Sequence, residues 1–243
     1  MSGEARPAFY ALRPGGWRDY VTLLHPPYTL WHLSYVAIGA ALAPVMKWSL
    51  LAWTVLAFLL AMGIGAHALD ELHGRPLATR IPRAVLVGLA AGSVAAACAI
   101  GIVVAIHSTL WLLVFVAFGA FVVAAYNLEL FGGAFHSDVW FAVAWGAFPV
   151  MTAYFASAER VRAAAVAAAA FGLLSSFAQR RLSTQVRLVR RRVESVTGEV
   201  RLGDGGRLPV DADLLARAPE TALQALAAAM ALLAAALLLA RAA

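Results

Sequence analysis

Seven apolar stretches, nearly free of ionisable side chains, occupy most of this chain: Tyr28–Met46, Trp48–Ala66, Ala84–Ile106, Ser108–Tyr126, Val139–Ser157, Ala163–Ala178 and Thr221–Ala240. In a bilayer the backbone must satisfy its own hydrogen bonds, so apolar runs of about 20 residues become spanning helices. With 63% hydrophobic and 13% charged residues, an ordinary soluble domain is excluded. The expectation is an all-α integral membrane protein with about seven transmembrane helices.

Charge sets the expected orientation. With the N-terminus placed in the cytoplasm, fifteen arginines from Arg6 to Arg217 fall on the inner side, and only Lys47, Arg160, Arg162 and Arg241 on the outer. That bias predicts a multi-pass protein of a bacterial inner membrane. The net charge of +6 then serves topology and anionic-lipid contact, and nucleic-acid binding is excluded. Pro7, Pro14, Gly15 and Gly16 precede any apolar run, so no cleavable signal peptide is expected. A lone cysteine, Cys98, sits inside the third stretch and reads as a buried, inert thiol.

The outer connections are short and the inner ones long, at Leu72–Arg83, Asn127–Asp138 and Gln179–Glu220. The chain thus divides into a cytoplasmic segment (1–27), a six-helix core (28–178), a basic cytoplasmic segment (179–220) and a final helix (221–243). Within the basic segment, Gln179–Arg192 extends the sixth helix as an arginine-rich stem, with Arg190–Arg192 expected to contact lipid headgroups. Val193, Val196, Val200 and Leu202 precede Gly203-Asp204-Gly205-Gly206, and Leu208 and Val210 follow, a pattern for a β-hairpin.

The chemistry concentrates where the second stretch ends. His67, Asp70 and Glu71 are spaced i, i+3, i+4 and share one helix face. Acids at a helix C-terminus oppose the macrodipole, so they call for a cation: a hard ion such as Mg²⁺, or Arg75 and Arg80. A second cluster follows the fourth stretch, with Tyr126, Asn127, Glu129, Gly132, Gly133 and His136. Ser137 or Asp138 equally suits the N-cap of the next helix, and for Asp138 capping is expected rather than a role in the site. The first stretch opens with His25, Pro26, Pro27 and Tyr28, and His32 follows within it.

These motifs resemble the UbiA-type membrane prenyltransferases. That family's first acidic motif, Asn-Asp-x-x-Asp-x-x-x-Asp, ends the second helix and leads into an Arg-Pro…Arg-Pro-Ile-Pro loop. Here Asp70 matches the central acid, His67 stands at the first, Gly74 at the third, and Glu71 is an added carboxylate. The loop follows as Arg75-Pro76-Leu77-Ala78-Thr79-Arg80-Ile81-Pro82, and Gly146, Pro149 and Tyr154 are similar to the family's fifth-helix pattern. Where a second acidic motif belongs, Ser176–Ser183 carries Arg180 and Arg181 and no acid.

The resemblance implies a helical bundle with a cytoplasm-facing cavity. It implies transfer of a prenyl group from a Mg²⁺-bound prenyl diphosphate to a lipophilic acceptor. Asp70, Glu71 and Glu129 would then hold the metal, Arg75 and Arg80 would neutralise the leaving group, and His67, Tyr126, Asn127, Arg180 and Arg181 would line the substrate site. Two other functions fit the same residues. One is a non-catalytic isoprenoid-lipid-binding or scaffold protein. The other is a lipid-modifying enzyme with a metal on His67, Asp70, Glu71, Glu129 and His136.

Overall fold

Prolines mark the start and finish of the first long helix. Pro26 and Pro27 occupy its first turn, where a missing N–H costs nothing, and Pro44 forbids its continuation. In this computed structural model, which describes residues 7–243, the helix therefore ends at Ala41, short of the expected Met46. Arg6 of the inner-side count lies outside the described residues.

We number the elements α1 (Trp17–Leu23), α2 (Pro26–Ala41), α3 (Trp48–Leu72), α4 (Arg83–His107), α5 (Leu112–Asn127), α6 (Asp138–Ala158), α7 (Ala163–Arg192), β1 (Glu199–Arg201), β2 (Arg207–Pro209) and α8 (Ala212–Ala242). Five of them, α3, α4, α6, α7 and α8, are long and apolar enough to cross a membrane. The other two long helices, α2 and α5, have 16 residues each. The strands pair antiparallel, with Val200 opposite Leu208. Helix α8 begins well before the expected Thr221, because Asp211 caps it by accepting from Leu214 N (2.7 Å), and it carries Pro219 internally.

Helix α2 occupies the centre. Trp31, Tyr35 and Val36 are fully buried and cluster with Val150 of α6 and with Leu223 and Met230 of α8. Small residues permit this closeness: a Cβ on Gly39 would lie 2.2 Å from the Val150 carbonyl oxygen. Gly146 of α6 and Gly172 of α7 meet in the same way, 2.3 Å from an added Cβ to carbonyl oxygen. On the other flank α3, α4, α5 and α6 enclose an apolar crevice of about 890 Å³, its open side included, lined by residues such as Trp53, Met62, Cys98, Phe115 and Trp145.

Polar contacts tie the two ends. Arg241 of α8 donates to the Ala41 and Ala43 carbonyls (2.7 and 2.6 Å), satisfying the last turn of α2. Nearby, Lys47 pairs with Glu159 across two turns (3.2 Å). At the basic end Arg190 of α7 grips Glu220 (2.8 Å) and Asp213 (3.0 Å) of α8. Those contacts make α8 parallel to α2 and antiparallel to α7, so α2 and α7 run in opposite directions.

Candidate functional site

The loop after α3 is built around one acid. Glu71 is 1% exposed and accepts from Leu77 N (3.1 Å), Thr79 N (2.9 Å) and Thr79 Oγ1 (2.8 Å). Arg75 folds back to donate to the Thr79 and Ile81 carbonyls (3.0 and 2.7 Å). Arg80 keeps its side chain exposed, while its N–H donates to Asp19 (2.9 Å). The expected arginine–carboxylate network is therefore corrected: the Leu77 and Thr79 amides and the Thr79 hydroxyl, not Arg75 or Arg80, meet Glu71. Its oxygens serve the loop.

Asp70 points elsewhere. It shares an electrostatic neighbourhood with Tyr10, His67, Tyr126 and Arg187, and it forms no ion pair among the described residues. A π-helical stretch, Leu59–Ala66, widens α3 just before it, and His67 Nδ1 lies 3.0 Å from the Gly63 carbonyl. The His67 ring stacks on His25 at 4.1 Å with planes 17° apart. Imidazole lone pairs lie in the ring plane, so two parallel rings do not aim at a common ion.

His25 sits in the left-handed region (φ 46°), between α1 and Pro26. Burial holds its pKa well below the usual histidine range, and His67, Arg191 and Arg187 push the same way. The Tyr10 ring rests 5.3 Å from His25 and 5.5 Å from Tyr28. Burial, then Tyr28, pushes the Tyr10 phenol well above its ordinary value, against the pull of Arg191 and Arg187.

Facing them is α7. Arg180, Arg187 and Arg191, at i, i+7 and i+11, share one face. Arg180 and Arg181 each reach one oxygen of Asp138 at 3.2 Å, and the Arg180 guanidinium lies 5.4 Å from the Phe141 ring centre. Ser137, not Asp138, is the N-cap of α6, accepting from Trp140 N (3.2 Å). Arg191 donates to the Pro7 carbonyl (3.0 Å) and Arg190 is committed to α8, so the expected headgroup contacts are replaced by internal ones at these two positions. Arg187 is half-buried and donates to Thr184 on its own helix (3.1 Å). Among the described residues no carboxylate lies within ion-pair distance of it.

The second predicted cluster is dispersed. Asn127 donates to the Val123 carbonyl one turn back (2.8 Å). Tyr126 is buried, and His136 stacks on it at 4.5 Å while approaching its carbonyl at 3.0 Å. Glu129 is exposed, at φ 49°, and 3.9 Å from His136. Among the described residues no three of His, Cys, Asp or Glu converge on a point that could hold a metal ion. Asp70, Glu71 and Glu129 are thus not gathered, nor is the mixed set with His67 and His136.

Sequence reasoning overlooked Tyr10 and Arg187, and assigned Arg191 to lipid headgroups. The heptad-like spacing of the arginines was the available signal; nothing in the sequence placed Tyr10 against His25 and Tyr28. The sequence matches no protein-family model, and neither a curated protein nor a solved structure is significantly similar to it.

Proposed function

We propose that this chain is a UbiA-like prenyltransferase whose seven long helices cross the inner membrane with the basic end in the cytoplasm. The observation that carries this is Arg187: a half-buried guanidinium, near Arg180, Arg191 and Asp70, with no carboxylate in ion-pair distance among the described residues. A half-buried cation without an ion-pair partner is costly, and a diphosphate supplies one. The apolar crevice between α3, α4, α5 and α6 suits an isoprenyl tail.

Catalysis in this scheme is electrostatic. As the allylic carbon–oxygen bond ionises, Arg187 and Arg191 stabilise the charge gathering on the leaving diphosphate, and Arg191 exchanges the Pro7 carbonyl for phosphate. The residues present do not fit a multi-acid metal centre. Asp70, the carboxylate near Arg187, would be the protein ligand for a divalent cation bound to the diphosphate.

The test is binding of geranylgeranyl diphosphate to purified protein, with and without Mg²⁺. Wild type is expected to bind, and Arg187→Ala to weaken binding by about tenfold or more. No binding by folded wild type would sink the proposal. The burial of Glu71 in the loop favours one alternative, a non-catalytic isoprenoid-lipid binder. Binding without prenyl transfer to any supplied acceptor would establish it instead.

A further inference from the structure

One level of the α2–α7 contact is fully satisfied. Trp31 Nε1 donates to Tyr35 Oη (2.6 Å), and Ser176 Oγ donates to the same oxygen (3.2 Å). Because the two helices are antiparallel, stepping one turn toward the basic end brings His32 and Gln179 to a common level.

There the satisfaction stops. His32 is 3% exposed and Gln179 2%, yet His32 Nε2 and Gln179 Oε1 meet no protein partner. Tyr126, 5% exposed, adds a third such atom, its Oη. Phe141 links them: its ring centre lies 5.9 Å from that of His32 and 6.0 Å from that of Tyr126, with Arg180 on it. An unpaired buried polar atom is costly. With His32 and Tyr126 flanking Phe141, and Gln179 next in sequence to the Arg180 that lies on the same ring, these atoms call for a ligand.

The chemistry of the three atoms narrows what can answer them. An amide oxygen accepts only, a phenol donates or accepts, and an imidazole nitrogen does either by tautomer. A hydroxyl group donates once and accepts twice, and so can serve Gln179 and its neighbours together. A carboxylate or phosphate has no proton for the Gln179 oxygen, and Arg180, the nearby cation, is already paired with Asp138.

We infer that His32, Gln179 and Tyr126 form a second subsite, deeper than the arginine face, that binds the uncharged hydroxyl group of a membrane-soluble lipid. Its role as the acceptor site rests on the transferase proposal; the hydroxyl binding does not.

Full-length protein in nanodiscs would be titrated with two hydroxyl lipids of different origin, a short-chain diacylglycerol and an alkyl hydroquinone, each beside its methyl ether. At least one hydroxyl compound is expected to bind about tenfold more tightly than its ether, which also identifies the source. His32→Phe and Gln179→Leu should each erase that preference, while geranylgeranyl diphosphate binding persists. Equal binding of hydroxyl and ether forms to folded wild type overturns the subsite. So does a preference that survives both substitutions. A hydroxyl preference in protein that binds no prenyl diphosphate upholds the subsite and overturns the transferase proposal.

Discussion

The acids that end α3 and the arginines that line α7 are near neighbours used in opposite ways. Glu71 is the more deeply buried charge, and the loop 72–82 consumes it entirely. Arg187 is less buried, and among the described residues its only side-chain bond is to its own helix. The difference separates two reasons for keeping a charge near a membrane. A charge whose partners all belong to its own loop holds shape; one without an ion-pair partner waits for a ligand.

Substitution at the two positions should therefore diverge, and Glu71→Ala gives the largest effect. It strands two buried N–H groups and a hydroxyl, so thermal unfolding in detergent should show a loss of about 3 kcal/mol or more. A stable Glu71→Ala that loses only ligand binding would reverse the assignment. Arg187→Ala comes next. Its unfolding should stay within about 1 kcal/mol of wild type. Its affinity for geranylgeranyl diphosphate should meanwhile fall by about 2 kcal/mol. A folding defect with unaltered binding would make Arg187 structural too.

A smaller effect tests the imidazole between the two sides. The folded-state pKa of His25 lies below its ordinary 6.5, so protonation is resisted in the folded protein. Stability should be complete above pH 6.5 and decline as pH falls below it, by up to about 1.4 kcal/mol per pH unit. His25→Phe should flatten that slope in unfolding curves measured from pH 7.5 to pH 5, ranges set by the same linkage. The smallest effect is at the opposite end. Lys47→Ala breaks an exposed pair with Glu159 and should change stability by less than about 0.5 kcal/mol.

Much of the helical framework was legible because apolar length and charge exclusion act residue by residue. The α7 stem followed from its arginine-rich continuation, and the hairpin turn from Gly203-Asp204-Gly205-Gly206. Helix ends were read less well: Pro44 was visible as a stop, while the early start of α8 depends on Asp211 as a cap. The site was legible in part. Residue types flagged Asp70, His67 and Arg180, but partner choice is a property of the folded loop. That Glu71 would be met by Leu77 and Thr79 amides, rather than Arg75, depends on a backbone with Arg75 and Ala78 at φ 53° and 54°. Tyr10 reaches His25 and Tyr28 only because the segment before α1 returns over the start of α2, a path no local pattern specifies.

The clasp between Arg241 and the end of α2 carries a lesson about biogenesis. The helix at the centre of the bundle is made early, and a neighbour that completes its core is made late. During synthesis α2 must wait, its Leu223 and Met230 contacts unmade, until α8 has been made. Final closure of the core is therefore a late event, and lesions near Arg241 should be felt as failed assembly around α2 rather than loss of α8 alone.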